Sequence, residues 1–189
     1  RDGLSDGHGG NHVECLITSS RHNGEPCYRI LIVDRDSMSG DLLVNALASD
    51  KRCHASTIQA MELLSTLASG EVDLVVIGAD VQTEVGSGYD LVHTISHKYP
   101  DLSIIILLHN TTQESVIRAF RAGARGVFSR HLPITEFFDC VEHVRKGYIW
   151  AGMQETNTLV EAFKSIPTFT LMSTNASPAL TARELQVVH

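Results

Sequence analysis

A chain of 189 residues with 43% hydrophobic side chains can build one domain of ordinary size plus a small appendage. A formal net charge of -7 and a pI near 5.8 exclude an overall basic surface for wrapping nucleic acid, so any DNA contact must come from a local element. Cys15, Cys27, Cys53 and Cys140 form no CxxC pair and no signal peptide precedes them, which argues against a disulfide framework or a closed zinc site and for reduced thiols in the cytoplasm. The longest apolar run, 104–108, falls far short of the ~20 residues of a membrane helix, so the expectation is a soluble protein with no membrane partner.

Residues 1–26 are rich in Gly, His, Ser and Asn without helical or strand period, and read as a flexible leader. His8, His12 and Cys15 have spacings that suit a metal on a helix, but no fourth ligand is evident and a polar tail is the better reading. From Tyr28 onward short apolar, β-branched runs alternate with segments of helical period. The runs are 30–33, 74–77, 104–108 and 126–128, with 53–56 a weaker strand. Between them, Leu42, Leu43, Ala46 and Leu47 share a helix face. Ala60, Leu63, Leu64 and Leu67 share the next, followed by Leu91, Val92 and Ile95, then Val116, Ile117 and Phe120, then Ile134, Phe137, Val141 and Val144. Strands apolar on both faces and separated by amphipathic helices demand a parallel α/β sheet covered on both sides, with its site at the carboxyl ends of the strands.

This main domain spans 27–150. Residues 151–179 hold one more helix, with Leu159, Val160 and Phe163 on one side, and a linker rich in Pro, Ser and Thr. At 180–189, LTARELQVVH opens a new helix on the capping box of Thr181 and Glu184.

YRILIVDRD at the first strand, FRAGARGVFSR running into the fifth, KGYIWAGMQ after the last helix of the domain and the terminal LTARELQVV together resemble the bacterial response regulators of the LuxR-type (NarL/FixJ) class. The resemblance implies a flavodoxin-like receiver of strand order 2-1-3-4-5, followed by the first, incomplete part of a helix-turn-helix domain. It also implies a non-enzymatic transcription regulator in a two-component system. Such a regulator acts as a homodimer and touches DNA through the C-terminal domain of the full-length protein, with the partner kinase left open. These 189 residues alone should bind no DNA, because nine residues cannot present a recognition surface.

A working receiver takes a phosphoryl group on a carboxylate ending the third strand. An acid pair after the first strand holds magnesium, and a hydroxyl after the fourth and a lysine after the fifth bond the acyl phosphate. Here the acidic rim reads Asp34, Arg35, Asp36, so Asp34 matches the first acid and Arg35 takes the place of the second. Leu108 stands where the hydroxyl belongs, with Thr111 and Thr112 close by; Arg130 replaces the lysine, and Val127 stands at the switch aromatic's position beside Phe128. Counting forward from Asp73 puts the acceptor at Gly78, which has no side chain. Counting back from Gly88 puts it at Asp80, which reaches the rim if the strand extends. Several departures at once favour a degenerate receiver not switched by aspartyl phosphate, and with Arg35 and Arg130 both near Asp34 an internal ion pair is expected in the place of metal and phosphate. No cofactor is expected, and magnesium enters only if the acidic rim is functional.

Arg118, Arg121 and Arg125 are spaced as a basic edge along the fourth helix, a possible partner face, although a solvated helix face is the plainer reading. Asp36 or Ser37 suits the N-cap of the first helix, and His109 reads as polar surface. Two other classes remain open: a phosphorylatable receiver using Asp80, and a stand-alone interaction module without DNA binding. An FMN-binding enzyme of the same fold would want a phosphate loop after the first strand, where ILIVDRDSMSG supplies acids.

Overall fold

The computed structural model describes residues 27–70 and 72–165. The leader with His8, His12 and Cys15, the linker and the capping box at Thr181 lie outside the described residues. Strands β1 (Tyr28–Val33), β2 (Cys53–Thr57), β3 (Leu74–Gly78), β4 (Ser103–Leu108) and β5 (Gly126–Ser129) alternate with helices α1 (Ser37–Leu47), α2 (Ala60–Ser69), α3 (Ser87–Lys98), α4 (Gln113–Ala122) and α5 (Ile134–Arg145). A sixth helix, α6 (Met153–Lys164), follows. All strand pairs are parallel and the order is β2-β1-β3-β4-β5, the flavodoxin-like order expected from the resemblance.

The pleat explains why the strand runs are continuously apolar. Leu31, Val33, Val75, Ile77, Ile104, Ile106 and Leu108 face one core with Leu63 of α2, Val92 of α3 and Val116 of α4. The residues between them, Ile30, Ile32, Leu74, Val76, Ile105 and Leu107, face a second core with Leu47 of α1 and Phe137, Val141 and Val144 of α5. Two-sided burial makes each such side chain contribute about 1.5–3 kcal/mol, which is why β3 tolerates no polar residue along its length. The edge strand β2, CHAST, is polar and half-exposed, as an edge strand should be.

Four expectations need correction. Leu42 of α1 and Ile134 of α5 point outward rather than into the core, because only the stripe through Leu47 and that through Phe137 and Val141 meet the sheet. In α6, Leu159 packs against the first core while Val160 and Phe163 are exposed, so the three do not share one buried side. Finally, α4 stops at Gly123, which takes a left-handed φ of 107°, so Arg125 is not on that helix at all. The outer edge of β5 is not bare: the Val127 amide donates to the Trp150 carbonyl at 3.0 Å, and the Trp150 amide donates to the Arg125 carbonyl at 2.9 Å.

Candidate functional site

The carboxyl ends of β1, β3 and β5 converge on one buried ion pair. β1 delivers Asp34, whose side chain is 4% exposed, and β5 delivers Arg130, whose guanidinium Nη2 lies 2.7 Å from Asp34 Oδ2. Arg130 Nη1 donates to Ser39 Oγ in the first turn of α1 at 2.8 Å, and Asp34 Oδ1 accepts from the Asp36 amide at 3.1 Å. The contact is close but poorly aimed: Asp34 Oδ2 and Arg130 Nε are buried without a well-directed hydrogen bond. Charge attraction, more than bond geometry, holds the pair.

Gly78 ends β3 directly beneath it. A Cβ at that position would lie 3.0 Å from Arg130 Nη2 and 3.3 Å from Asp34 Oδ1, so the guanidinium occupies the space that a side chain at 78 would need. Arg35 is exposed, and the guanidinium that reaches Asp34 is that of Arg130. Asp36 turns away to cap α1, its Oδ1 accepting from the Met38 amide at 3.1 Å. The donor set around Asp34 is therefore one carboxylate, a guanidinium and a hydroxyl, which does not suit a hard divalent cation that wants several oxygen ligands.

Asp80 lies elsewhere. β3 ends at Gly78, so the extension that would carry Asp80 to the rim is not there. Asp80 Oδ1 instead accepts from the Gly86 amide at 2.6 Å, inside the loop before α3. That loop is clasped further: Ser87 Oγ accepts from the amides of Val81 and Gln82, and the Gly88 amide donates to the Ala79 carbonyl at 2.9 Å. Gly88 permits this approach, because a Cβ there would collide with the Gly78 carbonyl oxygen. A hollow of about 250 Å³ between this loop and the start of α4 is lined by Asp80, Tyr89, Leu108, His109 and Arg118.

The remaining positions are spread out. Leu108 and Val127 are buried in the α2–α4 core, and Phe128 sits on the opposite face, edge-on to Phe137 at 5.2 Å. The Thr112 hydroxyl is used as the N-cap of α4, accepting from the Ser115 amide at 3.2 Å, and His109 is exposed. The three arginines do not form one edge. Arg118 folds over the Tyr89 ring at 4.5 Å and lies 3.9 Å from Asp90, Arg121 is exposed in the last turn of α4, and Arg125 donates to the Pro100 carbonyl at 3.3 Å. Burial raises the Tyr89 phenol above its ordinary range, with Arg118 opposing. Ser39 was missed by sequence reasoning; only its place two residues into α1 pointed toward the rim.

Among the described residues no helix is long and apolar enough to cross a membrane. Residues 30–142 match the response regulator receiver domain family, more than half of the chain. The chain is 23% identical over 165 residues to the oxygen regulatory protein NreC of Staphylococcus epidermidis, covering 85% of this chain and 75% of that protein. It is 29% identical over 103 residues to the NreC of Staphylococcus haemolyticus, covering 54% and 48%. Among solved structures, it superposes on the RcsB response regulator of Salmonella typhimurium with a TM-score of 0.65 at 15% identity, over 71% of this chain and 70% of that one. A LuxR family DNA-binding response regulator from Silicibacter pomeroyi superposes with a TM-score of 0.58 at 18% identity, over 67% and 98%. These likenesses show the fold, and the match over 30–142 shows the lineage: the chain belongs to the response regulator receiver domain family.

Proposed function

We propose that this receiver is the input half of a dimeric, DNA-binding transcription regulator of the cytoplasm, and that aspartyl phosphate and magnesium do not switch it. The observation that carries the reading is the Arg130–Asp34 ion pair closed over Gly78. A phosphoryl transfer needs a nucleophilic carboxylate and a cation to gather the transferring oxygens. At this rim the strand ends in a residue without a side chain, and the one buried carboxylate is already neutralised by a guanidinium. Asp80 is spent on the Gly86 amide, and Leu108 offers no hydroxyl to follow a phosphoryl group. The DNA-binding part of the proposal rests on the resemblance of LTARELQVV, from Leu180, to the start of a LuxR-type helix-turn-helix domain.

The test is intact mass after incubation with acetyl phosphate and magnesium, and again with beryllofluoride. No stoichiometric adduct and no change in oligomeric state are expected. A single adduct abolished by Asp80→Asn would restore the phosphorylatable reading. The DNA arm is tested by mobility shift of a chain extended through a complete C-terminal domain, against this one, on DNA selected by the longer protein. Sequence preference is expected from the longer chain only.

A further inference from the structure

Helix α3 turns two imidazoles outward on successive turns. Val92 and Ile95 are buried in the first core, while His93 and His97, four residues apart, are exposed on the outer face. Their ring centroids are 4.2 Å apart, with the planes tilted by 37°. His97 Nδ1 lies 2.9 Å from the His93 carbonyl oxygen. A carbonyl only accepts, so Nδ1 carries the proton, and in the neutral ring the lone pair is left on Nε2. This is how a ligating histidine is held: one ring nitrogen donates to a backbone carbonyl, which sets tautomer and ring orientation, and the other is free to bind.

We propose that His93 and His97 form a two-nitrogen chelate for a divalent transition metal of the zinc class. Imidazole suits Zn2+, Ni2+ and Cu2+, whereas a hard ion such as Mg2+ wants oxygen. Two histidines at i and i+4 on one helix face are the spacing at which a helix can offer both nitrogens to one ion. Nitrogens about 2.0–2.1 Å from a tetrahedral ion stand about 3.3 Å from each other, and rings with centroids 4.2 Å apart are already drawn to that scale. Among the described residues no third His, Cys, Asp or Glu joins them, so water completes the coordination and the site is open and exchangeable, not a structural cage. The bound ion clamps the last turns of α3. Between the two histidines, Ser96 Oγ donates to the Ala122 carbonyl at 2.8 Å, so the clamped turn is the one that fastens α3 to the end of α4. None of these groups belongs to the Arg130–Asp34 rim, and the inference stands apart from the reading of that site.

Calorimetric titration of zinc chloride into the whole 189-residue chain, with magnesium in excess, tests it. The leader also carries His8, His12 and Cys15, so His93→Ala and His97→Ala are compared with a double change of His8→Ala and His12→Ala. Both α3 histidines are exposed, so their variants should melt like the parent. Should His97→Ala fail to fold, His97→Gln takes its place, keeping a polar side chain without an imidazole. The parent is expected to take up Zn2+ despite the magnesium. Each α3 variant should weaken that binding by about tenfold or more, since a single nitrogen cannot chelate, and the leader variant should keep it. Nitrogen NMR of the imidazoles gives a second readout: the His93 and His97 Nε2 signals should move together as Zn2+ is added. A parent chain that takes up no Zn2+, an isotherm unchanged in the α3 variants, or Nε2 signals that stay in place would each overturn the proposal.

Discussion

Two carboxylate–guanidinium pairs stand at opposite ends of β1, and they are built differently. At the carboxyl end, Asp34 and Arg130 are nearly sealed from water, yet Asp34 Oδ2 and Arg130 Nε lack well-directed partners. At the amino end, Asp50 is partly exposed and fully engaged. It accepts from the Tyr28 hydroxyl at 2.9 Å, from the Arg52 amide at 2.9 Å, and from Arg52 Nε and Nη2 at 3.1 and 3.0 Å. The Arg52 side-chain bonds hold the Asp50 carboxyl down to about 2 against the opposing effect of burial. Burial, with the bond to Asp50 second, drives the Tyr28 phenol well above its ordinary range. The exposed pair fastens β1 to the start of β2. The buried pair does something else: desolvation offsets most of its attraction, so it fixes what occupies the rim without adding much net stability over an apolar pair.

That contrast can be broken first at Asp34. Asp34→Ala leaves a guanidinium buried without its counter-charge and should cost about 3–5 kcal/mol, read from urea denaturation. The double change Asp34→Leu with Arg130→Met should recover most of that loss, because no charge is then stranded. A melting curve unmoved by Asp34→Ala would mean that water reaches the rim, and the two pairs would be alike after all.

Asp50→Asn should cost less, about 1 kcal/mol at neutral pH, because water can replace part of what is lost. Its sign with pH is fixed: the folded carboxyl titrates at about 2, below its ordinary 3.8, so the ionised group stabilises the fold fully above 3.8 and ceases to as pH falls through about 2. Parent and variant stabilities measured down that window should converge; curves that stay parallel would deny the carboxylate its role.

The smallest effect is expected from Gly78→Ala, within about 1 kcal/mol. The new Cβ meets Arg130 Nη2 at 3.0 Å, but that atom is the end of a long side chain that can give by a few tenths of an ångström. A loss as large as that of Asp34→Ala would show that Arg130 is clamped by its Ser39 bond more firmly than the geometry implies.

The five strands were legible because a sheet buried on both faces writes itself as unbroken runs such as LVVI at 74–77, and the order followed from the resemblance. Helix faces were legible only in part. Periodicity marks Leu42 and Ile134 as apolar but not whether another element stands opposite them, and none among the described residues covers them. At the rim, the residue types at 34, 78, 108 and 130 could be read from counting, whereas the choice between Arg35 and Arg130 as partner of Asp34 could not. It depends on where β5 ends relative to β1, which no local pattern encodes. The same limit applied to Asp80: strand period two carries an acid to the rim only while the strand lasts, and the clasp around Ser87 and Gly88 ends it first.

Trp150 has one further consequence. An open edge strand is a template on which any extended chain can add itself, and aggregation of α/β domains commonly begins there. By laying its own residue along β5, this chain occupies that template from within, at the cost of only the few residues between α5 and α6. A truncation placed at the end of α5 would remove that guard together with the helix that follows it.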